Sequence, residues 1–169
     1  MAALCANIAW EFIYTFVFPH SGPQKIITLI WFLLDVIILM QYLLYGPKEK
    51  KKGISERYFY SSFFITLVFS FLIIMAMAFE FNDIEGKYAA FGQNLMMSGL
   101  FISLLLSREN RSGQSISIAI FKMLGSLCAA IAFYIYFRTS LITILSIATL
   151  VYDLIYILLL RKFYRRKRC

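Results

Sequence analysis

Apolar residues run along this chain in six long stretches separated by short polar segments. They cover about residues 2–18, 25–45, 58–80, 88–106, 115–137 and 139–160, and none contains an internal proline. Each is close to the ~17–25 mostly apolar residues that a membrane-spanning helix needs. The connections carry the residues that break helices: Pro19-His20-Ser21-Gly22-Pro23, then residues 46–57 opening with Gly46-Pro47, then 82–87, 107–113 and 138–139. This pattern predicts an all-α fold, a polytopic transmembrane bundle of six helices over residues 1–160, followed by a basic tail over 161–169.

Composition agrees with a lipid environment. Hydrophobic residues make up 61% of the 169 and charged residues 15%, whereas a soluble domain carries about a quarter charged. A net charge of +8 would suggest nucleic acid in a soluble protein. Here the cations occupy segments between apolar stretches, so no nucleic-acid partner is expected and their distribution reports membrane orientation instead. Lys48, Lys50, Lys51, Lys52, Arg57, Arg108, Arg111 and the tail cations Arg161, Lys162, Arg165, Arg166, Lys167 and Arg168 fall on one side of a six-span topology. Lys25, Lys87 and Arg138 fall on the other, and Lys122 lies within a span. The positive-inside rule then puts both ends of the chain in the cytoplasm, with the tail held against anionic lipid.

Three further readings concern individual residues. Cys5, Cys128 and Cys169 show no ligand spacing, so neither a disulfide nor a metal site is expected. Cys169 follows Arg168 directly, which excludes a prenylation box, and no signal peptide is apparent after Met1. Tyr42, Tyr45, Tyr58, Tyr60 and Tyr88 lie near span ends, as interfacial aromatic belts do. Gly125, Ser126, Ala129, Ala130 and Ala132 suit close helix packing, and His20 reads as a solvated loop residue.

Four ionisable residues fall inside the spans: Glu11, Asp35, Lys122 and Asp153. At about 1.5 Å of rise per residue, all four sit roughly 12–15 Å below the cytoplasmic surface. Charge at that depth is expensive and should face protein or a wet cavity. Each has polar or aromatic company on its own face. Asn7, Glu11 and Tyr14 follow helical spacing with Trp10 alongside, Trp31, Asp35, Ile38 and Tyr42 make a second stripe, and Thr149, Asp153 and Tyr156 a third. Gln93 and Asn94 add amides nearer the outer face. One reading is a buried ion-pair network that holds the bundle together, with Lys122 neutralising one carboxylate. Three carboxyls against one ammonium leave two charges uncompensated, so at least one of Glu11, Asp35 and Asp153 is expected to be uncharged. A neutral carboxylic acid in an apolar pocket is suited to protonating a hydrophobic substrate.

The run Leu4-Cys5-Ala6-Asn7-Ile8-Ala9-Trp10-Glu11-Phe12-Ile13-Tyr14, with its Asn-x-x-Trp-Glu-Phe core, resembles the signature of the transmembrane terpene cyclases of fungal meroterpenoid and indole-diterpene pathways and their bacterial relatives. Gly46-Pro47-Lys48-Glu49, the segment 93–98 and Asp153 are also similar, as is Gly113-Gln114-Ser115 to some bacterial members. The resemblance implies a family of seven-helix bundles, of which this chain lacks the first helix. It implies cyclisation of a prenyl chain or prenyl epoxide, an isomerase- or lyase-type reaction, with Glu11 and Asp153 as the acidic pair. Asn7, Trp10, Tyr14, Trp31, Asp35, Gln93, Lys122 and Tyr156 are then the expected pocket residues, with ring faces of Trp10, Phe12, Tyr14 and Trp31 available to a developing carbocation.

No Asp-Asp-x-x-Asp run is present to hold magnesium and a diphosphate, so the expected mechanism starts by protonation, without cofactor or metal. The partners expected are a hydrophobic terpenoid substrate and the bilayer. A small proton-coupled transporter or sensor uses the same buried acids and stands as the alternative, with a non-catalytic structural membrane protein beside it.

Overall fold

The computed structural model describes residues 1–49, 56–107 and 114–166. Lys50, Lys51, Lys52, Arg108, Arg111, Gly113, Lys167, Arg168 and Cys169, on which the orientation and tail readings draw, lie outside the described residues. The described part is all-α: α1 (Ala2–Phe12), continued by a π-helical turn (Ile13–Val17), then α2 (Pro23–Tyr45), a 3-10 turn (Gly46–Glu49), α3 (Glu56–Glu80), α4 (Lys87–Ser107), α5 (Ile116–Tyr136) and α6 (Ser140–Arg166). The helical architecture predicted from hydropathy is the one observed. Helices α2 to α6 are long and apolar enough to cross a membrane, whereas Ala2–Val17 is a shorter apolar helix. α6 keeps its helical backbone beyond the apolar stretch, through Arg166. Arg and Lys are good helix formers and are favoured at the negative end of the helix dipole.

Packing divides the chain into two units, Met1–Ala89 and Ala90–Cys169, with α4 beginning in the first and continuing in the second. In the first unit α1 packs against α2 and α3. Cys5, Ile8, Ala9, Trp10, Ile13 and Tyr14 are all buried, as expected of a helix apolar around most of its circumference. By contrast, Ile26, Ile30, Leu33, Leu34 and Ile37 of α2 stand exposed, as lipid-facing residues do. Pro19 ends the π-helical turn: it has no N–H to continue a helix, and the last donor before it, Phe18, reaches back five residues to the Ile13 carbonyl at 2.8 Å. Pro23 then opens α2 at its first position, where a missing N–H costs nothing.

In the second unit α5 packs along α6. Leu105 of α4, Ala119 of α5 and Tyr156, Ile157 and Leu160 of α6 form its buried apolar cluster. Ser115 caps α5 by accepting the Ser117 N–H at 3.2 Å. Of the small residues predicted to line a helix contact, Ser126 is buried, while Gly125 and Ala132 are exposed. Lipid tails are as apolar as leucine, so helix association in a bilayer rests on close packing and interhelical hydrogen bonds. The polar contacts below therefore contribute to folding as well as to any chemistry.

Candidate functional site

α1 is the inner helix of the first unit, and its sequence sets Asn7, Trp10, Glu11, Tyr14 and Thr15 within two turns. Glu11 is 7% exposed, and its Oε2 is buried without a hydrogen-bond partner. Asn7, one turn earlier, hydrogen-bonds the Asp35 side chain on α2. Asp35 in turn lies close enough to Glu11 for the two carboxyls to interact electrostatically. The Oδ2 of Asp35 is also buried without a partner. Two carboxyls and an amide thus come together between α1 and α2, each carboxyl keeping one oxygen free.

Trp10 and Tyr14 are turned to a different task. The Trp10 indole N–H donates to the Gly86 carbonyl at 2.9 Å, and the Tyr14 hydroxyl donates to the Asp83 carbonyl at 3.2 Å. Asp83 is itself buried, and its Oδ2 accepts the Tyr88 N–H at 2.8 Å. Gly86 has φ +69°, and a methyl group there would lie 2.3 Å from the Tyr14 ring and 2.8 Å from the Trp10 nitrogen. Only glycine combines that left-handed backbone with so close an approach. His20 completes the clasp, bonding the Glu85 carbonyl at 3.1 Å and the Thr28 hydroxyl at 3.3 Å and stacking on Tyr14. The expectation of a solvated His20 is therefore corrected: the ring ties the 82–86 turn to α2. Beside the clasp, Phe12, Phe16, Phe32 and Phe71 form an aromatic cluster with centroids 5.1–6.0 Å apart.

The second unit holds the remaining charges. The Lys122 ammonium donates to Asp153 Oδ1 at 2.7 Å, to Ser98 Oγ at 2.6 Å and to Asn94 Oδ1 at 3.4 Å. Those three acceptors use all three of its protons. Asn94 also donates to Ser126 at 3.1 Å. The network ties α4, α5 and α6 together. Asp153 is 2% exposed, and its Oδ2 has no partner.

The predicted residues thus separate. Asn7, Trp10, Glu11, Tyr14 and Asp35 belong to the first unit, and Lys122 and Asp153 meet in the second. Trp31 is half exposed on α2, placed for lipid contact rather than for lining a buried pocket. Gln93 is partly buried, and the amide that reaches Lys122 is its neighbour Asn94. Tyr156 is buried against Phe101, with ring centroids 5.4 Å apart. Sequence reasoning missed Asp83, Gly86, Ser98 and Ser126 as partners, although the Asn-Asp-x-x-Gly turn at 82–86 is a visible signal. A cleft of about 220 Å³ between α5 and α6, lined by Phe133, Tyr134, Ile142, Thr143, Ser146 and Leu150 among others, contains none of the predicted residues. Among the described residues no group of three His, Cys, Asp or Glu side chains is placed to hold a metal ion.

A family profile of Pyr4-like transmembrane terpene cyclases matches residues 1–166. The chain is 28% identical over 139 residues to the Pyr4-family terpene cyclase mfmH of Annulohypoxylon moriforme, covering 79% of this chain and 56% of that one. It is 28% identical over 136 residues to terpene cyclase macJ of Penicillium terrestre, covering 78% and 53%. It is 24% identical over 136 residues to terpene cyclase pyr4 of Aspergillus fumigatus, covering 78% and 56%. The chain spans about half the length of the curated relatives it matches. No solved structure matches it.

Proposed function

The chain belongs to the family of Pyr4-like transmembrane terpene cyclases, and on that premise we propose that it is a membrane-embedded terpene cyclase whose proton donor is Glu11. Five helices long and apolar enough to span, together with the family, make it an integral membrane protein. The observation that carries the catalytic reading is the Glu11 carboxyl, buried with one oxygen unpartnered. Native proteins leave few buried polar atoms unsatisfied, and one that persists calls for an explanation. A substrate oxygen or olefin carbon supplies it.

In this reading the protonated Glu11 carboxyl transfers its proton to the oxygen of a terminal epoxide. The C–O bond breaks as the neighbouring olefin supplies its π electrons, and a C–C bond forms. Positive charge passes along the chain until the last cation loses a proton, so the reaction is an isomerisation with no net proton consumed. Within the second unit, Asp153, the other acidic position of the resemblance, is a second candidate acid, its Oδ1 held by Lys122 and its Oδ2 without a partner. The chain is oriented with both ends in the cytoplasm, on the distribution of its basic residues.

The test is Glu11→Gln in the full product of the gene, assayed in membranes with epoxidised farnesyl and geranylgeranyl conjugates. Glutamine keeps the size and hydrogen-bonding capacity but has no proton to transfer. Turnover should fall at least about a hundredfold, with unfolding behaviour unchanged. Cyclisation that survives the substitution removes Glu11 from the mechanism.

A further inference from the structure

One turn beyond Glu11, Thr15 breaks a rule that the chain's other helical threonines obey. Thr28, Thr66, Thr143 and Thr149 each return their hydroxyl to the carbonyl four residues earlier, on Gln24, Ser62, Thr139 and Leu145, at 2.7–3.0 Å. That local bond is the usual way a helix satisfies a buried hydroxyl. The Thr15 residue is 6% exposed, and its Oγ1 is buried with no partner at all. The residue four positions earlier is Glu11.

The backbone accounts for the difference. Thr15 sits in the middle of the π-helical turn Ile13–Val17. Widening the helix there changes the register between each residue and the carbonyls of the preceding turn. Single π-helical turns are uncommon and concentrate at functional sites. The i, i+4 spacing keeps Thr15 on the Glu11 side of the helix, and the other free oxygen of the cluster, Asp35 Oδ2, is buried as well. Two side chains on one helix, each more than nine-tenths buried, therefore present unpartnered polar atoms on the same side. One is an acid and the other a hydroxyl.

We infer that Thr15 determines specificity for an oxygen-bearing prenyl end, its hydroxyl donating a hydrogen bond to the same oxygen that Glu11 protonates. The inference rests on the cyclase reading for the identity of that oxygen. An epoxide oxygen has two lone pairs, so one accepts the Glu11 proton while the other accepts from Thr15. An olefin-terminated chain has nothing for the hydroxyl to bond. A site built to hydrogen-bond an oxygen discriminates against the analogue that lacks it, because its own polar group then stays buried and unpaired.

The experiment compares wild type, Thr15→Val and Thr15→Ser in the full-length protein in micelles. The probes are two saturated fifteen-carbon chains, one ending in an epoxide and one in plain hydrocarbon, which bind without cyclising. Wild type and Thr15→Ser should favour the epoxide by about tenfold, the scale of one buried hydrogen bond. Thr15→Val should bind both chains alike. It should also be at least as resistant to heat as wild type, since a methyl replaces an unpartnered buried hydroxyl. Preference retained in Thr15→Val, lost in Thr15→Ser, or missing from wild type overturns the assignment. Should Thr15→Val fail to fold, Thr15→Ser and wild type still decide it. If wild type prefers the epoxide but converts no unsaturated counterpart, the cyclase reading fails while Thr15 keeps its role.

Discussion

Replacing Lys122 by methionine tests the electrostatics of the second unit most directly. The substitution keeps the length and the apolar stem but deletes the ammonium. Its loss falls almost wholly on one group. Ser98 still donates to the Asn94 carbonyl at 3.1 Å, and Asn94 still bonds Ser126 at 3.1 Å. Asp153, whose side chain is 2% exposed, is left with no cation. Removing one partner of a buried pair typically costs about 3–5 kcal/mol, while exchanging both partners for apolar residues of similar volume is often neutral or stabilising. Lys122→Met and Asp153→Leu should therefore each cost about 3–5 kcal/mol, and the double variant no more than about 1–2 kcal/mol. The double-mutant cycle should return a coupling of several kcal/mol, far above the few tenths seen for independent sites. Equilibrium unfolding of the micellar protein by SDS titration supplies the four stabilities. Additive single costs, with a double variant destabilised by their sum, would refute the claim that the pair is closed and desolvated.

Two other outcomes follow from the first unit. Gly86→Ala should destabilise by about 2–4 kcal/mol in the same titration, adding a left-handed backbone penalty to the loss of at least one buried hydrogen bond. A cost below about 1 kcal/mol would mean that the turn does not press on Tyr14 and Trp10. Ile84→Cys, in a background without the native cysteines, should react with an impermeant thiol reagent in intact cells, because the proposed topology puts the 82–87 connection opposite the basic loops. Reaction only after permeabilisation would reverse the orientation.

The helices were legible because hydropathy alone separates a span from its connections, and the lone intramembrane cation was legible as an ion-pair member because an unpaired one is too costly to bury. Which acid it meets was not. Depth along a helix is predicted by counting residues, but lateral position is not, and the count assigns Glu11, Asp35 and Asp153 similar depths. The α1 stripe shows the same limit in another form. Periodicity says that Trp10 and Tyr14 share a helical side with Glu11 and nothing about what covers them. Their partners are carbonyls 76 and 69 positions away, in a turn that reads as an ordinary polar connection. Thr15 was hidden by the assumption of an α-helical period, although Pro19 four residues later marks where that period must fail.

These misreadings share a cause that bears on function. Where lipid supplies no hydrophobic drive, polar atoms hold helices together, so a polar residue inside a span is first of all a candidate for packing. Trp10, Tyr14, His20, Asn94 and Ser98 are accounted for in that way by the bonds they make. Glu11 Oε2, Asp35 Oδ2 and Thr15 Oγ1 are not, because they are buried and bond nothing. A buried polar atom left unpaired costs about 1–3 kcal/mol, and these three, with Asp83 Oδ1 in the same unit, are a sizeable burden on its stability. Asp83 Oδ1, Thr139 Oγ1, Ser146 Oγ and Asp153 Oδ2 are unpaired as well, but three such atoms on α1, its π-helical continuation and the facing part of α2 support the proposed site there. The missing bonds around Glu11 are what the proposed chemistry rests on, whereas the bonds around Lys122 tie α4, α5 and α6 together.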